Sequence, residues 1–164
     1  MLMPDAARHV IDGFQFARGG GELHGRLELT ALPRLAEMGV AASPGFEFQV
    51  RGGRNGRGKA VLRIAARGAA DMTCQRCLGA VEVLIEADAE LELAESEAAI
   101  EDADDEVDRV VATPAMDVVA LVEDELILSL PMVPRHEACA PREAHGQDEA
   151  GLPFAALAGL KRKH

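Results

Sequence analysis

Tryptophan and tyrosine are absent from this 164-residue chain, and phenylalanine occurs only 5 times. Hydrophobic residues still reach 48%, enough for a core, but many are alanine, so the core is expected to be aliphatic. The lack of interleaved aromatics argues against reading single-stranded nucleic acid on an aromatic stacking platform. No apolar run approaches the roughly 18 residues that a membrane-spanning helix needs. The opening MLMPDAARHV carries an acid and no long apolar stretch, so a signal peptide is not expected. Cysteine is scarce too. Three residues, an odd number with no export signal, point to a reducing cytoplasm. The length suits a single domain, residues 1–164, with a flexible acidic loop at about 95–108.

The net charge of −11 hides an asymmetry. Residues 44–80 carry seven cations (Arg51, Arg54, Arg57, Lys59, Arg63, Arg67 and Arg76) against Glu47 and Asp71, a balance of +5. Residues 81–128 carry seventeen acids against Arg109 alone, a balance of −16. Such a chain can offer a basic face to nucleic acid and an acidic face to a basic protein.

The three cysteines fall in two matched clusters. Cys74 and Cys77 form a C-x-x-C pair, and His136 and Cys139 form an H-x-x-C pair far downstream. Brought together by folding they would make a closed Cys3His set, the stoichiometry of a structural zinc site. Other readings stay open: a redox disulfide between Cys74 and Cys77, a reduced pair in a tight turn with His136 hydrogen-bonded, or a nucleophilic Cys–His pair.

Hydrophobic periodicity gives the elements. Phe14 and Phe16 alternate with polar neighbours, as do Leu27 and Leu29, which predicts strands. Thr30 and Pro33 predict a short helix ending near Gly39. Phe46, Phe48 and Val50 alternate, and so do Leu62, Ile64 and Ala66. Asn55-Gly56 lies between the two runs and predicts a hairpin with a long loop. From Val81 to Leu93 the period is two, with Glu82, Glu86, Asp88, Glu90 and Glu92 on the solvated face and Leu84 as the exception. Residues 95–108 hold eight acids and predict a mobile loop. Asp117 is the expected N-cap of a helix over 118–129 that Pro131 ends. On that helix Glu123 falls on the polar side with Asp117, Ala120, Asp124 and Ile127, and Glu125 falls among apolar residues. Pro131 and Pro134 set an extended path to His136. Pro153 opens a last apolar stretch with a cationic end at Lys161, Arg162 and Lys163, which suits a helix C-terminus.

The combination of CQRCL, an acidic strand and loop, DVVALVEDELILSLPMVPRHEAC and a terminal PFAALAGLKRK resembles the YceD family. These are bacterial large-ribosomal-RNA accumulation proteins with plant organellar relatives. The resemblance covers residues 44–164 and is strongest at 74–78, 117–139 and 153–163. Its matching positions are Cys74, Arg76, Cys77, Leu78, Glu123, Glu125, Leu130, Pro131, Pro134 and His136. It implies a small non-enzymatic factor in large ribosomal subunit biogenesis, and a gene neighbourhood with a large-subunit ribosomal protein. The metal reading rests on spacing alone and not on the resemblance.

Together these readings predict an α+β fold: an antiparallel sheet, with a curl towards a partial barrel as a variant, and two or three packed helices. The function expected is accumulation of large-subunit ribosomal RNA through binding RNA, a basic ribosomal protein, or both. The rivals are an acidic adaptor for a ribosomal protein with no RNA contact, and a hydrolase using Glu125, His136 and Cys139. Neither a phosphate loop nor a H-E-x-x-H motif supports the last. The candidate RNA contacts are Arg51, Arg54, Arg57 and Lys59, four cations on a glycine-rich tip with no acid. The candidate partner surface is Glu86, Asp88, Glu90, Glu123 and Glu125. Cys74, Cys77, His136 and Cys139 are the candidate metal ligands, with zinc as the cofactor. No small-molecule substrate and no membrane are expected.

Overall fold

The computed structural model describes residues 9–141 apart from 42, 102, 104 and 105; the opening residues and the expected helix from Pro153 lie outside the described residues. The chain runs through β1 (Val10–Ile11), α1 (Gly13–Arg18), β2 (Glu22–Leu27), α2 (Pro33–Glu37), β3 (Phe46–Arg54), β4 (Ala60–Thr73), β5 (Ala80–Ala94), α3 (Glu97–Glu101), β6 (Arg109–Val111), β7 (Met116–Asp117) and α4 (Val118–Leu128). A single 3-10 turn, Leu29–Ala31, precedes α2.

Among the described residues five strands form one sheet in the order β2-β3-β4-β5-β6. The first four are antiparallel neighbours, as expected. The fifth corrects that expectation: β6 lies parallel to β5, with Leu93 opposite Val110. A parallel partner needs a long crossover, and the acid-rich segment with α3 supplies it. The sheet does not curl into a partial barrel, because β2 and β6 remain separate edges. A second, two-stranded sheet pairs β1 with β7 and ties residue 10 to the start of α4.

The period-two reading of β3, β4 and β5 holds. Phe46, Val50, Leu62, Ile64 and Ile85 are almost fully buried on one sheet face. Each such side chain contributes about 1.5–3 kcal/mol when removed from water. β4 continues through Gly68-Ala69-Ala70 to Thr73, past the alternation the sequence shows. Weak β formers are carried there by thirteen registered pairs with β5, from Val61–Glu92 to Thr73–Ala80. Gly68 is required where it stands, since a Cβ would lie 2.6 Å from Phe46 Cδ1 and 2.7 Å from the Gly45 carbonyl.

Helices α1 and α4 cover the apolar face, and α2 packs on α4. The strand expected at Phe14 and Phe16 is instead α1. Asp12 caps it by accepting from Gln15 N at 2.9 Å, and the buried positions are Gly13 and Ala17, one helical turn apart. Helix α4 begins where expected, with Asp117 Oδ1 accepting from Val119 N at 3.0 Å and Ala120 N at 3.3 Å. Its buried stripe is Val118, Val122, Glu123 and Leu126. The stripe is therefore turned towards Glu123 and away from Leu128, which is 78% exposed.

Candidate functional site

The β4–β5 hairpin closes through Cys74–Gly79. Cys74 N donates to Gly79 O at 2.8 Å and Leu78 N donates to Cys74 O at 2.9 Å. The turn places Leu78 at φ 60, a left-handed conformation that costs a branched side chain about 1–2 kcal/mol. The extended run after α4 comes alongside, held by Gln75 N donating to Pro134 O at 2.8 Å. Arg76 Nη1 donates to Cys139 O at 3.2 Å. Two hydrogen bonds to backbone carbonyls, one from a backbone N–H and one from the Arg76 side chain, thus deliver His136 and Cys139 to the turn.

All four predicted ligand residues meet there. Their ligand atoms lie within 4.8 Å of one another. Cys74 Sγ is 3.8 Å from Cys139 Sγ, and Cys77 Sγ is 3.4 Å from His136 Nδ1. A zinc tetrahedron with bonds of about 2.3 Å to sulfur and about 2.0 Å to nitrogen has edges of roughly 3.5–3.8 Å. The cluster therefore has the size of a tetrahedral metal centre. The three cysteines are free thiols, so the redox-disulfide alternative is not the form seen. Backbone N–H groups, that of Cys77 foremost and then those of Arg76 and His136, hold the Cys74 thiol down to about 5 against the upward push of burial. Arg76 N sits 3.5 Å from Cys74 Sγ. Burial first, and then the neighbouring Cys74 and Cys77, push the Cys139 thiol up. Donors that stabilise a thiolate also stabilise a metal-bound thiolate, so the donor set fits zinc. Four protein ligands leave no open position, which makes a bound metal structural and not catalytic.

The basic hairpin divides. Arg51 lies inside β3 on the solvated sheet face, beside Glu22 with Nε and Oε1 3.5 Å apart. Arg54, Arg57 and Lys59 form the tip around Asn55, whose Oδ1 accepts from Arg57 N and Lys59 N, both at 3.0 Å. Gly52 serves packing as well: a Cβ there would lie 2.5 Å from Phe16 O and 2.8 Å from Ala17 Cα. Part of the Arg-Gly-Gly signal thus belongs to the seat of α1.

The acidic candidates divide as well. Glu86, Asp88 and Glu90 are exposed on β5, but β4 interleaves cations with them. Arg63 Nε is 2.8 Å from Glu90 Oε2, and Arg67 stands opposite Glu86. Glu92, expected in the exposed row, is only 6% exposed and binds Arg57, Arg109 and Asn55. Glu123, expected on the polar side, is 4% exposed and engages Arg34 and the backbone of α2. Glu125 is half-buried. Burial first, then Asp108 and Asp124, push its carboxyl above the usual range. Among the described residues no buried side-chain polar atom lacks a hydrogen-bond partner. Sequence reading missed Arg34, Arg109 and Glu92 as structural ions, since their partners are distant in the chain and leave no local pattern.

With this geometry in view, comparison with protein families is decisive. Residues 62–161 match the family described as large ribosomal RNA subunit accumulation protein YceD. The chain belongs to the YceD family. The match covers the metal quartet, the acidic candidates and α4. No curated protein and no solved structure matches the chain. YceD membership makes the chain a non-enzymatic factor of large-subunit ribosome biogenesis, with dealings in ribosomal RNA or ribosomal proteins. Among the described residues no helix is long and apolar enough to cross a membrane.

Proposed function

We propose that this YceD-family chain supports large-subunit ribosomal RNA by binding it through the β3–β4 hairpin, with the Cys3His centre holding the far end of the fold together. The observation that carries the reading is the hairpin tip. Arg54, Arg57 and Lys59 crowd one loop in a chain of net charge −11. RNA binding needs cations that displace condensed counterions, and an acidic protein must concentrate them to bind at all. The pairing of Arg63 with Glu90, and the place of Arg67 opposite Glu86 and bound to Glu47 of β3, argue against a purely acidic adaptor surface. Free thiols suit a reducing cytoplasm as the place of action.

The test is crosslinking in cells with RNA and protein partners both recovered. The wild-type chain is expected to recover large-subunit ribosomal RNA, and a variant with Arg51, Arg54, Arg57 and Lys59 all changed to Ser is expected to lose most of it. Equal recovery by the two would sink the hairpin reading. Recovery of a basic ribosomal protein without RNA would favour the adaptor.

A further inference from the structure

The outer edge of β5 is open over much of its length. The N–H of Glu92 points away from β4 and donates to Asp108 O at 2.9 Å, just before β6 begins. The β4–β5 register runs without a break from Val61–Glu92 to Thr73–Ala80. Peptide groups alternate in direction along a strand, so Glu82, Leu84, Glu86 and Asp88 also turn their N–H and C=O groups outward. β6 accompanies only Glu92, Leu93 and Ala94. Among the described residues no hydrogen-bond partner meets the outward groups of the other four, and all four residues are exposed. Such an edge is a template for one further strand.

The charges beside the edge say which kind of strand fits. Glu82 stands opposite Asp71, two acids in register on the solvated face. Like charges so placed are destabilising. Glu86 stands opposite Arg67, but Arg67 gives its side-chain hydrogen bonds to Glu47. Asp88 stands opposite Ala65. Among the described residues none of Asp71, Glu82, Glu86 and Asp88 has an ion pair. The other outer strand of the sheet, β2, differs. Its Glu22 engages Arg51 and Gln49, and its Arg26 engages Glu28 and the Pro44 carbonyl. The covered side of β5 repeats the excess of acid. Asp108, whose carbonyl meets the β5 edge at Glu92, is one of the acids that push the half-buried Glu125 carboxyl up.

We propose that the β5 edge between Glu82 and Asp88 accepts an extended, cation-rich segment of a partner protein as an added strand. Edge amides and carbonyls supply the register, and cations on alternate residues of the guest meet Glu82, Glu86 and Asp88 on the solvated face. The stretch has the length of an ordinary strand. A second copy of this chain added through the same edge would set acid against acid, and RNA would meet the same repulsion. The proposal does not depend on the reading of the hairpin as an RNA contact.

The test uses the full chain and a peptide of about ten residues that alternates Lys and Val. Amide exchange followed by NMR supplies the readout that charge alone would not move. Peptide should slow exchange at Leu84, Glu86 and Asp88. Val83 and Ile85, whose N–H groups point at β4, should be slow with or without it. The same peptide with every amide nitrogen methylated keeps its charge but has no donor, and should bind at least about tenfold more weakly. Glu86→Gln with Asp88→Asn should weaken the unmodified peptide about fivefold near 0.1 M salt, the scale of two exposed ion pairs. Leu84→Pro removes an outward N–H and no bond to β4, so it should keep the fold and lose most of the binding. If Leu84→Pro does not fold, the methylated peptide and the exchange pattern still decide. Equal binding by the methylated peptide, or no new protection at Leu84, Glu86 and Asp88, would reduce the contact to charge attraction and overturn the proposal. So would an absence of binding by the wild type. Binding that appears only when Lys161, Arg162 and Lys163 are changed to Ser would make the chain's own terminus the occupant and overturn it as well.

Discussion

Glu123 caps a helix that is not its own. Its Oε1 accepts from the backbone N–H of Arg34 at 2.7 Å and of Leu35 at 3.0 Å, while its Oε2 accepts from Arg34 Nε at 2.9 Å. Helix α2 has no side-chain cap from its own N-cap residue, Leu32, so a carboxylate from α4 does that work. Glu123→Ala should therefore cost about 2–3 kcal/mol, the scale of charge-assisted bonds to buried donors. Glu123→Gln, which keeps one acceptor oxygen, should cost less. Urea denaturation of both variants checks this. A cost below about 0.5 kcal/mol for Glu123→Ala, the range of an ordinary surface change, would contradict it.

Two residues further on, the sign reverses. The Glu125 carboxyl is pushed up by burial and by Asp108 and Asp124. A carboxyl with a raised folded-state pKa holds its proton more tightly in the fold than in the unfolded chain. Its ionisation therefore lowers stability as pH rises through the window above the ordinary Glu value. Glu125→Gln should raise the melting temperature at neutral pH by a small amount, about that of a few tenths of a kcal/mol. The gain should vanish below roughly pH 4, where the unfolded chain is protonated too. Melting curves at pH 7 and pH 4 test it, and a gain that is the same at both pH values would contradict the account.

The metal centre predicts close to one zinc per chain in protein purified without chelator. Cys77→Ser should lower the zinc content and destabilise the fold by several kcal/mol, on the order of part of the apparent binding energy of structural zinc. Chelator should have little further effect on that variant. Elemental analysis that finds no metal in the wild type would leave the quartet as a hydrogen-bonded cluster of thiols and imidazole.

Gly52 and Gly53 should behave differently although they are neighbours. Gly52→Ala drives a methyl into the backbone of α1 and should cost about 1–3 kcal/mol, the usual price of overpacking. Gly53→Ala meets only Arg63 Nη1 at 3.0 Å, the movable end of a long side chain. It should be tolerated. Equal melting temperatures for the two variants would remove the packing role assigned to Gly52.

What could be read from the sequence follows a physical line. The β3 and β5 alternations, the Asp117 cap and the spacing of the Cys3His quartet are local patterns, and the structure keeps them. The misreadings all involve partners far along the chain. Phe14 and Phe16 look like a strand until one sees that Gly13 and Ala17 are the residues that must fit the core. Glu92 is indistinguishable by period from Glu90, and only the approach of Arg57 and Arg109 makes it a buried ion. Glu123 is assigned to the wrong side of α4 because its reason for burial, the naked start of α2, lies 89 residues away. The parallel placement of β6 also leaves no mark in a three-residue run.

The β4–β5 ribbon has the cysteine turn at one end and Glu92 near the other. Thirteen registered pairs at about 3.3 Å each put the two some 40 Å apart along the strands. At that distance charge on one end is screened from the other by several Debye lengths at physiological salt. Metal loss can then reach the basic end only mechanically, by loosening the ribbon. An RNA or protein that touched both ends at once would have to be long enough to follow the whole strand pair, so the two poles are free to meet different partners in a growing ribosomal particle.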